Sequence, residues 1–262
     1  MEDYIVTMRD GIMTLNRIIP EKSVSFNTLV RTAMTLEKQD YTCTPVLPGS
    51  DGSCRVYAEN SKAVGFLIQC NPTVKTIRFI QKGRTPQVDY RRDPEHKGDY
   101  PAYLFDVSMP WIWVFCKLLK VEEHLYQWRR CFLCATYDNI ETLDDRIYVA
   151  PVPNQWGDSC LMCTGSIIKE TDQSEKPALI CRKFVYKLWN SYFNNDLNPA
   201  MPSMIAKEGA SLLDMLGEWE KKTKENPGIG LSHDFGLKDT RHGGSLGQFI
   251  GNVMGGAYDD AR

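Results

Sequence analysis

Residues 146–166 read Arg146-Ile-Tyr-Val-Ala-Pro151-Val-Pro-Asn154-Gln-Trp156-Gly-Asp-Ser-Cys160-Leu-Met-Cys163-Thr-Gly-Ser166. A β-type run, Ile147 to Ala150, stops at two prolines. Pro151, Pro153, Asn154 and Gly157 then dictate an irregular loop, because proline removes ladder donors and glycine and asparagine accept left-handed backbone. Two cysteines follow among small and polar residues. A thiol outside regular structure suits a nucleophile: the thiolate is the reactive species, with an ordinary pKa of about 8.5. Asn154, a few residues upstream, supplies an amide that could donate to an oxyanion during acyl transfer. Trp156 lies in the same loop, beside the candidate thiols. The competing reading is a surface loop whose cysteines fill a packing gap.

Outward from that loop the chain alternates between two periods. Towards the N-terminus, residues 1–20 suggest one or two strands with a turn at Asp10-Gly11, and Ser25 reads as the N-cap of a helix carrying Phe26, Leu29, Val30, Ala33 and Met34. Residues 43–53 form a Pro- and Gly-rich loop. Arg55–Glu59, Ala63–Cys70 and Thr73–Gln81 read as strands, and 82–101 as a polar surface loop. Leu104 to Leu119 is apolar around Pro110 and suits a buried strand or a short helix after the proline, and Tyr126–Ala135 is another strand candidate. After residue 170 the period becomes helical: Cys181, Phe184, Val185, Leu188, Trp189, Tyr192 and Phe193 mark one face. Ser211 with Asp214 forms a capping box for a second helix, ended by Asn226-Pro227-Gly228. The expected order is α+β: helix, antiparallel strands, helices. Residues 1–222 are expected as one domain. Residues 223–262 hold nine of the 19 glycines, and are expected as a Gly-rich tail, or as an arm that orders on a partner.

The 262 residues carry 31 Lys+Arg against 33 Asp+Glu, which speaks against a dedicated nucleic-acid binder, since such proteins show a basic excess. No run of 18 apolar residues is present, so no helical membrane span is expected. The acidic start, Met1-Glu2-Asp3, has no signal-peptide character, and the expected location is the cytoplasm. Nine cysteines in a reducing compartment stay free thiols.

Within those cysteines, Cys131-x-x-Cys134 and Cys160-x-x-Cys163 form a CxxC…CxxC pair, the ligand set of a structural zinc site. Against zinc, the 25-residue spacer is long, and on a strand Cys131 and Cys134 point to opposite faces. His96, His124, His233 and His242 show no ligand spacing. Gly243 to Gly247 lacks the Gly-Lys-Ser/Thr end of a phosphate loop. Gly255-Gly256 reads as a flexible glycine pair rather than as the processing site of a ubiquitin-like modifier.

The segment 109–166 resembles the prokaryotic ubiquitin-conjugating-like (E2-like) family D, the protein B component of PRTRC gene systems. The resembling elements are Met109-Pro110-Trp111-Ile112-Trp113-Val114-Phe115, Tyr126–Ala135, Glu141-Thr142, Arg146-Ile147-Tyr148-Val149-Ala150-Pro151, Pro153-Asn154 and Cys163-Thr164-Gly165-Ser166. Phe184 to Asn194 is similar to the aromatic helix that follows the cysteine in that family. The resemblance implies an E2 (UBC)-like fold: an N-terminal helix, a curled antiparallel sheet, an irregular cysteine loop and C-terminal helices. It implies a carrier that takes a ubiquitin-like modifier as a cysteine thioester from an E1-like (ThiF-type) adenylating enzyme and passes it to an amine on a target protein, without a cofactor. Where eukaryotic E2 enzymes have His-Pro-Asn, this chain has Val152-Pro153-Asn154. Cys163, followed by Thr164-Gly165, matches the family's Cys-x-Gly. Cys160, following Gly157 and preceding Leu161, matches the Gly-x-x-Cys-Leu of E2 enzymes generally. Cys163 is preferred as nucleophile, with Asn154 assisting. The alternatives carried beside it are a non-catalytic E2-fold scaffold and a four-cysteine zinc module (Cys131, Cys134, Cys160, Cys163).

Overall fold

Two prolines that face each other explain the shape of the sheet. In the computed structural model, which describes residues 4–9, 12–17, 42–45, 54–83, 88–170, 172–197, 199–241 and 244–256, with burial defined from residue 58 onward, strand β5 (Ala63–Cys70) runs on into β6 (Thr73–Ile80), and β7 (Ala102–Met109) into β8 (Trp111–Glu122). The two double-length strands pair antiparallel throughout, with Cys70 opposite Ile112 and Thr73 opposite Met109. Pro72 and Pro110 interrupt the ladder between those two registers. Neither can donate a hydrogen bond, so the sheet breaks there into two parts.

The larger part follows the order β10-β9-β8-β5-β4-β3, with β3 at Thr42–Pro45, β4 at Cys54–Glu59, β9 at Leu125–Thr136 and β10 at Tyr148–Val149; β11 (Gln173–Ser174) also pairs with β9. The smaller part is β12-β6-β7, where β12 (Tyr192–Asn194) runs parallel to β6. Irregular register at Lys117/Leu118 and Lys120/Glu122 adds curl, as bulges do. A separate pair, β1 (Tyr4–Arg9) and β2 (Ile12–Arg17), runs antiparallel with Arg9 opposite Ile12; the turn expected at Asp10-Gly11 lies outside the described residues. The helix expected behind Ser25 lies outside the described residues.

Three helices follow: α1 (Pro177–Trp189), α2 (Leu212–Glu225) and α3 (Leu246–Met254). The architecture is therefore α+β with antiparallel sheets. Strand β8 is buried on both faces, and its alternate residues enter two cores. Ile112, Val114, Cys116 and Leu118 join a core with Cys181, Phe184 and Leu188 of α1 and Leu213, Leu216 and Trp219 of α2. Trp113 and Phe115 join a second core with Leu246, Phe249, Ile250 and Val253 of α3. A strand covered on both sides loses its polar alternation, which is why Leu104–Leu119 read as a continuous apolar run.

The expectation for 223–262 is corrected here. Beyond α2, the chain turns through short 3-10 segments at Ile229–Leu231 and His233–Phe235 and enters α3. Phe235 and Phe249 are fully buried. Phe249 meets Phe115 and Phe132 edge-on, at centroid distances of 6.0 and 5.7 Å. The buried Lys117 ammonium donates to the Val253 carbonyl at 2.9 Å, a cation under a helix C-terminus. The glycines misled because they serve turns: Gly236 has φ 73. Ile229, Phe235 and Leu237 thus pack on the first core beside α2, and α3 closes the second face of the sheet, where an arm was expected. No helix among the described residues is long and apolar enough to cross a membrane.

Candidate functional site

The loop after β10 is a miniature hairpin docked on the sheet. Cys163 N–H donates to the Asn154 carbonyl at 2.8 Å, and Trp156 N–H to the Leu161 carbonyl at 2.8 Å; Gln155 and Met162 bridge between them. One arm lies beside β9. Leu133 N–H donates to the Cys160 carbonyl at 2.8 Å, and Met162 N–H to the Cys131 carbonyl at 2.9 Å. Gln155, fully buried, sends Nε2 to the Leu133 carbonyl at 2.8 Å. The loop is irregular in sequence yet tied down at both arms.

Asn154 is the keystone of this loop. Its φ is 64°, a left-handed conformation that asparagine tolerates better than most residues. Its carbonyl holds Cys163, and its Oδ1 accepts from the Asn194 N–H of β12 at 2.9 Å. That assigns the amide orientation and turns Nδ2 away from β12; Nδ2 makes no hydrogen bond among the described residues. Beyond Cys163 the chain turns at once: Ile167 N–H reaches the Thr164 carbonyl at 2.9 Å, with Gly165 at φ 49.

The candidate cysteines part company. Cys163 is exposed and Cys160 is fully buried. Cys160 has φ 60 and lies in the second core beside Cys134. Burial pushes the Cys134 thiol well above its ordinary range, and its hydrogen bond with Cys160 adds to that. Cys131 lies in the first core with Cys116 and Cys181, and burial raises Cys131 and Cys181 as well. The four cysteines of the CxxC…CxxC pair therefore occupy three places: one core, the other core and the surface. Among the described residues, no group of three or more His, Cys, Asp or Glu side chains is arranged to hold a metal ion. Trp156 is 45 % exposed on the hairpin.

Sequence reasoning missed Asn194 and Gln155. Asn194 acts through its backbone 40 residues away, which leaves no local signal. Gln155 looked like any loop amide, although burial makes it a rivet between loop and β9. Of the histidines, His96 packs at a tilt against Tyr192 and His233 against Tyr137; His124 is exposed at the β8–β9 turn, and His242 lies outside the described residues.

No family model, no curated protein and no solved structure matches this chain.

Proposed function

We propose that the chain is an E2-like carrier of a ubiquitin-like modifier, with Cys163 as the acyl-accepting thiol. The observation that carries the reading is the exposure of Cys163 at the end of a loop fixed by Asn154. The antiparallel succession β4, β5–β6, β7–β8, β9, followed by the cysteine loop and helices, supports an E2-type arrangement. Buried Cys160 is the poorer candidate, because a thioester there would need the loop to leave the second core.

The Cys163 thiolate attacks the thioester carbonyl of the modifier held on an E1-like (ThiF-type) enzyme. The new S–C bond forms as the bond to the donor cysteine breaks, and that sulfur leaves as a thiolate and recovers a proton. An amine of the target protein then attacks the same carbonyl. The amide forms, the C–S bond breaks, and the amine's proton returns to Cys163. In both steps the carbonyl oxygen becomes an oxyanion, and Asn154 Nδ2 is the donor assigned to it.

The test uses a peptide ending in Gly-Gly as its mercaptoethanesulfonate thioester. Incubated with the full chain, it gives a hydroxylamine-labile adduct on Cys163 that discharges to lysine. The adduct persists in Cys160→Ser and is lost in Cys163→Ser. Asn154→Asp keeps an oxygen for the Asn194 N–H but removes the donor, and slows discharge by about 10²-fold. Equal labelling of all cysteines, or an adduct inert to amines, would overturn the carrier reading and favour the scaffold.

A further inference from the structure

Helix α1 breaks the charge rules that α2 obeys. Its N-cap is Lys176, with no side-chain cap and no acid in the first turn. Between Lys176 and Trp189 the sequence holds four cations (Lys176, Arg182, Lys183, Lys187) and no carboxylate. All four are exposed. Lys176, Lys183 and Lys187 make no ion pair among the described residues. Lys176 at the N-terminus opposes the helix dipole and Lys187 in the last turn suits it, while Arg182 and Lys183 lie mid-helix, where neither helix end accounts for them.

The same face carries exposed apolar surface. Tyr186 is 73 % exposed and Leu179 is 39 % exposed, one on each side of Arg182 and Lys183, while Cys181, Phe184 and Leu188 point inward. Tyrosine and arginine are the residues that dominate protein interfaces. Lys75 adds a further cation over the ring of Trp189, at 5.6 Å from its centroid. Glu170 is engaged by Arg129 and Arg130, Asp172 accepts from the Lys169 N–H, and Glu175 precedes the helix.

The face adjoins the candidate thiol. Lys187 Nζ reaches the Ile167 carbonyl at 3.5 Å, in the turn that begins at Thr164. We propose that the outer face of α1 docks an acidic protein surface, that of the partner bringing the acyl group to Cys163, with Tyr186 and Leu179 as apolar anchors inside a cationic ring. The inference rests on the carrier reading for the partner's role; charge complementarity selects its chemistry.

Three Gly-Gly peptide thioesters test it on the full chain, identical but for an N-terminal block of Glu, Gln or Lys. At low salt the Glu peptide charges Cys163 about fivefold faster than the Gln peptide, and the Lys peptide more slowly, because steering scales with charge complementarity. The advantage disappears in 0.5 M NaCl. It is also lost in Arg182→Glu/Lys183→Glu, and persists in Lys221→Glu/Lys224→Glu, an equal charge change on α2. Equal charging by all three peptides overturns docking while leaving the carrier reading intact. If no peptide charges Cys163, the carrier reading fails, and fluorescence anisotropy decides docking alone. A fluorescent Glu peptide should then bind Cys163→Ser more tightly than the Gln peptide, and Tyr186→Ala should weaken it. Equal affinity for the two peptides, or tighter binding of a 20-nucleotide single-stranded DNA through Arg182 and Lys183, overturns the acidic-protein proposal.

Discussion

Helices α1 and α2 lie against the same core, yet they are written differently. In α2, Ser211 accepts from Asp214 N–H while the Asp214 carboxylate reaches back to the Ser211 N–H, a complete capping box. Lys222 and Lys224 stand in the last turn, paired with Glu218 and Glu220 one turn earlier. In α1, proline starts the helix, no side chain caps it, and Lys187 is the one basic residue in the last turn. Helix α1 is anchored chiefly by its buried stripe: Trp128 packs on Phe184 at 4.8 Å between centroids. The comparison separates a helix built for stability from one whose surface is left for something else.

The largest effect that sharpens the contrast is in packing. Trp219 of α2 is fully buried against Phe235, at a centroid distance of 5.3 Å. Trp219→Ala should cost about 3–5 kcal/mol in urea unfolding, whereas Tyr186→Ala on α1 should stay within about 0.5 kcal/mol. A large loss for Tyr186→Ala would show that the outer face of α1 is part of the fold.

Capping comes next. Ser211→Ala should lose about 1 kcal/mol. Lys176→Asp should instead raise stability by up to about 1 kcal/mol, because an acid and a cap are supplied together at the N-terminus. The same change should slow charging by the Glu peptide. Stability and docking would then move in opposite directions, and movement in the same direction would break the contrast.

The pH response should belong to α2. Burial, then the hydrogen bond to Asp214, pushes Tyr90 up to about 12. A raised folded value favours the neutral phenol, so its stabilisation is intact below about pH 10 and is lost as pH rises through about 12. Asp214 is held below its ordinary value by the Ser211 hydrogen bond, which with that from Tyr90 outweighs desolvation. Its contribution is present above about pH 4 and is lost as pH falls through the lowered value. Denaturation midpoints against pH should show the alkaline arm shrink in Tyr90→Phe, the buried Cys131, Cys134 and Cys181 thiols keeping the rest of it, and the acid arm shrink in Asp214→Asn. The smallest effect is Lys222→Ala, a few tenths of a kcal/mol from one exposed i,i+4 pair.

Much of the secondary structure was legible because it is local. The 3.6-residue stripe gave α1 as far as Trp189, although it ran on over Tyr192 and Phe193, which form β12; the Ser211–Asp214 box gave α2, and the β-runs gave β4, β5, β6 and β9, while Leu104–Leu119 left strand and helix open and forms β7 and β8. The opposite facing of Cys131 and Cys134 also follows from strand period alone. The site was legible in part: the irregular loop with two thiols could be read, but the choice between them could not, because burial is a property of what packs on the loop. Cys160 goes inward because residues 160–162 pair with β9 and the second core closes over them.

The sequence by itself determined the local periods, the caps and the breaks, since each depends on residues within a few positions of one another. Only the tertiary structure decided that α3, in the glycine-rich segment, covers the second face of the sheet, that Asn194 steadies Asn154, and that Cys163 alone of the two loop thiols meets solvent. Those outcomes depend on contacts 40 to more than 130 residues apart, and no local pattern encodes which distant surfaces will meet.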